Sequence, residues 1–172
     1  HLDVLRFLND EVKLIADDFR SDNNYAIRYA AENGHLNVLK FLYNDVGLTA
    51  DDFREDDNYA IGKAAEFGYV DVLRFLKEEV ELTADDFRAD NNYAIRLAAE
   101  NGDVAVLRFL KDNIKLTVDD FRANDNDAIR SAAKNGHVNV LKFLKEEVEL
   151  TADDFRSEYL PESIHPQSKP SL

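Results

Sequence analysis

Paired carboxylates are the first residues of this chain that could do chemistry. They stand at Asp17/Asp18, Asp51/Asp52, Asp85/Asp86, Asp119/Asp120 and Asp153/Asp154. Two adjacent acids can share a proton for acid–base work or contribute to a Ca²⁺ site. His35 and His137 add imidazoles, a side chain that often serves in acid–base catalysis. Catalysis, however, needs one convergent site, and these acids recur at a fixed interval. A carboxylate in the first turn of a helix meets the positive end of the helix dipole and orphan backbone N–H groups. Capping therefore accounts for every pair. Arg20, Arg54, Arg88, Arg122 and Arg156 follow the pairs at the same interval and read as inter-unit ion-pair partners. The two histidines have no matching acid or nucleophile. The Asp-Asn-Asn-Tyr stretches lack the glycine and closing glutamate of an EF-hand, and no Gly-rich phosphate loop or nucleophile elbow occurs. The expectation is a non-enzyme with no catalytic residue, metal or cofactor.

The interval itself is the organising feature. Tyr25-Ala26-Ile27-Arg28, Tyr59-Ala60-Ile61-Gly62, Tyr93-Ala94-Ile95-Arg96 and Asp127-Ala128-Ile129-Arg130 mark four copies of a 34-residue unit. A period of this length predicts a solenoid whose units are stable only when stacked. In the third copy, Asn92 is a candidate N-cap and Gly102 a candidate left-handed stop, which predicts a first helix of about nine residues. Val104, Val106, Leu107, Phe109 and Leu110 form the apolar stripe of a second helix. Thr117-Val118-Asp119-Asp120-Phe121 predicts one further turn of helix, with Phe121 buried between units. Asn124-Asp125-Asn126 is turn chemistry.

Ala30-Ala31-Glu32-Asn33-Gly34-His35-Leu36-Asn37-Val38-Leu39-Lys40-Phe41-Leu42 and Ala132-Ala133-Lys134-Asn135-Gly136-His137-Val138-Asn139-Val140-Leu141 resemble the helix pair of the ankyrin repeat. Tetratricopeptide units share the period, but their two longer helices do not fit an Asn-Gly stop after about nine residues. The resemblance implies an all-α, ankyrin-like solenoid of stacked helix-turn-helix repeats. It has three departures: Tyr-Ala-Ile-Arg replaces Thr-Pro-Leu-His, Leu-Thr-Ala-Asp-Asp-Phe-Arg replaces the Gly-Ala-Asp turn, and the unit is one residue longer. A short extra helical turn in place of the β-turn finger is the expectation. The array is assigned to residues 1–156, with a half repeat at 1–24 and repeats at 25–58, 59–92, 93–126 and 127–156. Residues 157–172 hold all three prolines and read as a tail: disordered, a loose cap through Tyr159, Leu160 and Ile164, or a linear motif.

The net charge of −14 repels phosphate backbones, so nucleic acid and anionic membranes are not expected partners. A basic or mixed protein or peptide surface is. With no cysteine, disulfides and thiolate metal sites are excluded. A soluble protein is expected, intracellular in preference to secreted, with no targeting peptide visible. The half repeat leaves an apolar face open, implies that chain is missing or trimmed before it, and could self-associate.

Where the copies differ, a partner is one candidate cause, and drift between duplicated copies is the other. Gly62, Lys63, Phe67 and Tyr69 set the second copy apart, and Gly62 is not a stabilising choice inside a helix. In ankyrin repeats the residues before the inter-helix glycine commonly line the concave face. By that resemblance the binding candidates are Glu32, Asn33, Glu66, Phe67, Glu100, Asn101 and Lys134, the last beside Asn135. Tyr25, Tyr29, Tyr59, Lys63, Tyr69, Tyr93 and Leu97 join them as variable or aromatic positions. Phe67 is read either as an interface anchor or as packing on Tyr69 or on the next unit. Two functions follow: a recognition module without catalysis, or a structural or engineered repeat scaffold with no partner of its own.

Overall fold

Alanines and leucines at helical spacing build two layers of short helices. The structure, a computed structural model, describes residues 2–156, so the expected tail lies outside the described residues. The segment expected to be a half repeat holds α1 (Leu2–Asp10) and α2 (Ala16–Phe19). The repeats follow as α3 (Ser21–Glu32), α4 (Leu36–Asn44), α5 (Ala50–Glu66), α6 (Val70–Glu78), α7 (Ala84–Phe87), α8 (Ala89–Asn101), α9 (Val104–Asp112), α10 (Val118–Lys134), α11 (Val138–Glu146) and α12 (Ala152–Arg156). First helices α3, α5, α8 and α10 pack side by side, and second helices α1, α4, α6, α9 and α11 form the other layer. No strand occurs among the described residues. The expected helical turn stands where a β finger would project.

The core is repetitive because the sequence is. Ile27, Ala30 and Ala31 of the first repeat and Leu39 and Leu42 of its second helix are fully buried, and so are Ile61, Ala64, Ala65, Leu73 and Leu76 of the next. Small alanines let the first helices approach closely. The extra turns drive in Phe53, Phe87 and Phe121, each 1% exposed. Phe53 meets Phe75, Phe87 meets Phe109 and Phe121 meets Phe143, with ring centroids 6.0, 6.5 and 6.2 Å apart. Burying such a ring is worth about 1.5–3 kcal/mol. At the N-terminal end α1 buries none of its residues, and Val4 and Phe7 are both exposed.

The Asn/Asp triplets are more than loose turns. Residues 22–24, 56–58, 90–92 and 124–126 are each one left-handed turn, with φ between 48° and 60°, joined directly to the right-handed first helix. Left-handed geometry costs most L-residues about 1–2 kcal/mol each, and Asn and Asp least among those with a side chain. Their composition is therefore a conformational requirement. Asn92 sits in this turn, so it does not act as the expected side-chain cap: its Oδ1 is buried without a partner, as are those of Asn24, Asn58 and Asn126. Its backbone N–H instead reaches the Arg88 carbonyl at 2.9 Å.

The two members of each Asp pair do different work. The second folds back on the start of its own turn: Asp86 Oδ2 accepts the Thr83 N–H at 2.7 Å and the Thr83 hydroxyl at 2.9 Å. Asp52, Asp120 and Asp154 repeat this on Thr49, Thr117 and Thr151. The same carboxylate receives an arginine from the preceding unit. Arg54 Nε lies 2.9 Å from Asp86 Oδ1, and Arg20–Asp52, Arg88–Asp120 and Arg122–Asp154 are the other rungs, at 2.7, 2.8 and 2.9 Å. The first Asp of each pair is exposed and bonds only the arginine three residues on, as Asp51 does with Arg54.

Burial pushes Asp52, Asp86 and Asp120 up, but their arginine, backbone and hydroxyl donors outweigh it and hold all three below the ordinary carboxylate value. Asp154 is also lowered, chiefly by Arg122. A depressed folded pKa gives stability that is complete above the ordinary value of 3.8 and is lost as pH falls through the folded value. Thermal melts should therefore hold steady down to about pH 4 and then drop as the rungs protonate. Asp120→Ala removes a cap and a charged rung, and urea titration should show a loss of about 2 kcal/mol. Asp119→Ala, at an exposed ion pair, should stay within about 0.5 kcal/mol.

Candidate functional site

Positions 25, 29, 32 and 33 are spaced i, i+4, i+7 and i+8, which places them on one face of the first helix. Their counterparts repeat across α5, α8 and α10. On α3, Tyr25 and Tyr29 stack with centroids 5.8 Å apart, and both are exposed. On α5, Tyr59 and Lys63 are half-buried while Phe67 is 48% exposed. On α8, Tyr93 is half-buried, Glu100 and Asn101 are exposed, and Leu97 is buried at 8%. Leu97 therefore presents little to a partner. Lys134 is exposed on α10.

The fourth stripe position separates the repeats. Asn33, Asn101 and Asn135 each donate a side-chain N–H to the carbonyl four residues back, Tyr29, Leu97 and Ser131, at 2.9, 3.0 and 3.0 Å. These amides close the last turn of their helix, where carbonyls lack partners. Phe67 cannot. It stands beside Tyr69 at a centroid distance of 6.2 Å and lies under the Lys63 ammonium at 5.9 Å. Lys63 also sits 5.5 Å over the Tyr59 ring and bonds Glu66 at 2.7 Å. Glu66 above all raises its pKa, keeping it charged. The result is an aromatic and charge-balanced patch confined to one repeat.

Tyr69 has a second setting. A Cβ on Gly34 would lie 2.8 Å from its ring, and one on Gly102 would lie 2.6 Å from the His137 imidazole. The residues after Gly68, Gly102 and Gly136 thus lie against the glycine of the preceding repeat. His137 also donates from Nε2 to the Glu100 carbonyl at 2.8 Å, which fits a structural histidine. Tyr69 is half-buried by this contact and presents only part of its ring.

Gly62 has a packing setting that its helix propensity does not show. It is buried, and a Cβ there would stand 3.0 Å from Tyr93 Cδ1. It makes room for the aromatic of the next repeat. At the preceding junction Arg28 lies over the Tyr59 ring at 5.5 Å, and at the following one Arg96 pairs with Asp127 at 3.5 Å. The pairs Arg28/Tyr59, Gly62/Tyr93 and Arg96/Asp127 fit one another across each junction. Sequence reasoning saw the deviant residues one at a time; comparing position 62 with position 93, one repeat on, would have found the pairing.

A family model for three copies of the ankyrin repeat matches residues 61–154, and one for many copies matches residues 27–76. The chain belongs to the ankyrin-repeat family. No curated protein and no solved structure gives a significant match. Ankyrin repeats are in general protein–protein interaction modules, and proteins built from them are typically non-catalytic. Among the described residues of this ankyrin array, no helix is long and apolar enough to cross a membrane and no group of acids and histidines could hold a metal.

The Gly62–Tyr93 contact predicts a measurable coupling. Ala for Gly inside a helix normally gains about 1 kcal/mol. Gly62→Ala should gain clearly less in the wild-type background, because the Tyr93 ring must shift. The full gain should return in Tyr93→Ala, and a double-mutant cycle in urea reads the difference.

Proposed function

We propose that the array binds a protein or peptide with a basic or mixed surface on the stripe face of α3, α5, α8 and α10, the concave face of ankyrin arrays, with Phe67 as the anchor. The observation that carries this reading is the exchange at position 67. Three repeats use an Asn amide there to close a helix end. The second repeat gives up a hydrogen bond worth about 0.5–1.5 kcal/mol and exposes an aromatic ring instead. Aromatic residues of this kind supply much of the binding energy at protein interfaces. Tyr59 and Lys63 frame the ring, and Tyr25 and Tyr29 continue the aromatic surface one repeat away. The net charge of −14 favours a partner that brings positive charge.

The test separates binding from folding. In the isolated protein, the double variant Phe67→Asn with Lys63→Ser should keep its urea midpoint or raise it, since the Asn cap is restored. Recovery of the partner by affinity capture, followed by quantitative mass spectrometry, should fall at least tenfold. Unchanged recovery would remove the anchor and favour a scaffold without a partner on this face.

A further inference from the structure

The stripe face carries a charge order as well as an aromatic anchor. At the third stripe position the four repeats read Glu32, Glu66, Glu100 and Lys134. Glu66 is already held by Lys63 at 2.7 Å, so the second repeat offers Phe67 instead of a free charge. Glu32, Glu100 and Lys134 make no ion pair among the described residues. Along the array the face therefore presents an acid, an aromatic, an acid and a base, one per repeat.

Packed helices stand about 8–10 Å apart, and this sets the interval at which a ligand must supply matching groups. A β-strand advances about 3.4 Å per residue and points alternate side chains to opposite faces. Its same-face positions fall at roughly 7 and 14 Å, and both miss the interval. A polyproline II segment has three residues per turn and advances about 9.3 Å per turn, so every third side chain meets a new repeat on the same face. Its conformation is extended before binding, which lowers the entropy lost on docking.

Resting on the recognition reading above, we infer that the occupant is an extended polyproline-II-type segment read at every third residue in the order basic, apolar, basic, acidic. The first basic group pairs with Glu32, the apolar one covers Phe67, the second basic one pairs with Glu100, and the acid meets Lys134. The order fixes chain placement as well as composition, because Lys134 repels a base at the last site.

The probe is a synthetic proline-rich peptide with arginine at its first and seventh positions, leucine at its fourth and glutamate at its tenth. Two comparators carry the same four anchors, one at every fourth residue and one at every seventh on a helix-forming background. Fluorescence anisotropy at low salt should show the every-third peptide binding at least tenfold tighter than either. Glu100→Lys, at an exposed position, should weaken it at least tenfold, and glutamate at the seventh peptide position should restore binding to that variant. Equal or tighter binding of a comparator, no effect of Glu100→Lys, or no binding of any peptide overturns the inference. If the Phe67 variant still loses its captured partner while the peptides are not discriminated, the register fails and the recognition reading stands.

Discussion

One carboxylate per repeat is shared between two units, and the array depends on that sharing. Asp52, Asp86, Asp120 and Asp154 each close the start of their own helical turn and each receive the arginine of the unit before. An ionised carboxylate has about four acceptor sites, so both duties fit on one side chain. Removing it from water is unfavourable, and the donors from both units offset that penalty. The turn it starts then delivers the buried phenylalanine that fills the junction. Local helix formation and stacking are thus coupled at one atom pair, which is the physical basis of nearest-neighbour cooperativity in a repeat array.

Close contacts between repeats follow the same logic of mutual fit. Tyr69 lies on Gly34, Asp103 on Gly68 and His137 on Gly102, so the inter-helix glycine both permits a left-handed turn and leaves room for the next unit. The side chain that fills the room differs each time, because a glycine surface tolerates several shapes. The first-helix junction is more demanding. A guanidinium over a ring, a ring against a glycine and a guanidinium beside a carboxylate are three solutions to one space.

Much of this was legible in the chain. The period, the Asn-Gly stop and the Thr-x-Asp-Asp-Phe segment specify helix pairs with an extra turn, because caps and stops are local chemistry. The division of labour within each Asp pair was not legible, since it depends on which carboxylate faces the neighbouring unit. Nor were the left-handed turns: Asn and Asp favour ordinary turns as well, and only the constancy of the triplets marks a stricter demand. Gly62 was legible only in part, for a related reason. Helix propensity describes a residue alone, and the residue that explains Gly62 lies one repeat later. At the stripe, sequence identified Phe67 as unusual but did not show that its siblings use their amides to close helix ends, or that Leu97 is buried.

That last contrast bears on the proposed anchor. Drift between copies would replace the capping asparagine of this repeat without regard to its surroundings, and the new ring could then lie anywhere. Phe67 instead stands on Tyr69, which is itself held on Gly34, and lies under Lys63, which Glu66 and Tyr59 hold in place. Each support belongs to the stacking framework or to the same helix. An anchor whose neighbours are already ordered loses little freedom when a partner covers it, and affinity rises chiefly by avoiding that loss. The repeat thus combines a missing cap, which stability alone would not select, with a platform that would make the exposed ring an efficient contact for the proposed partner.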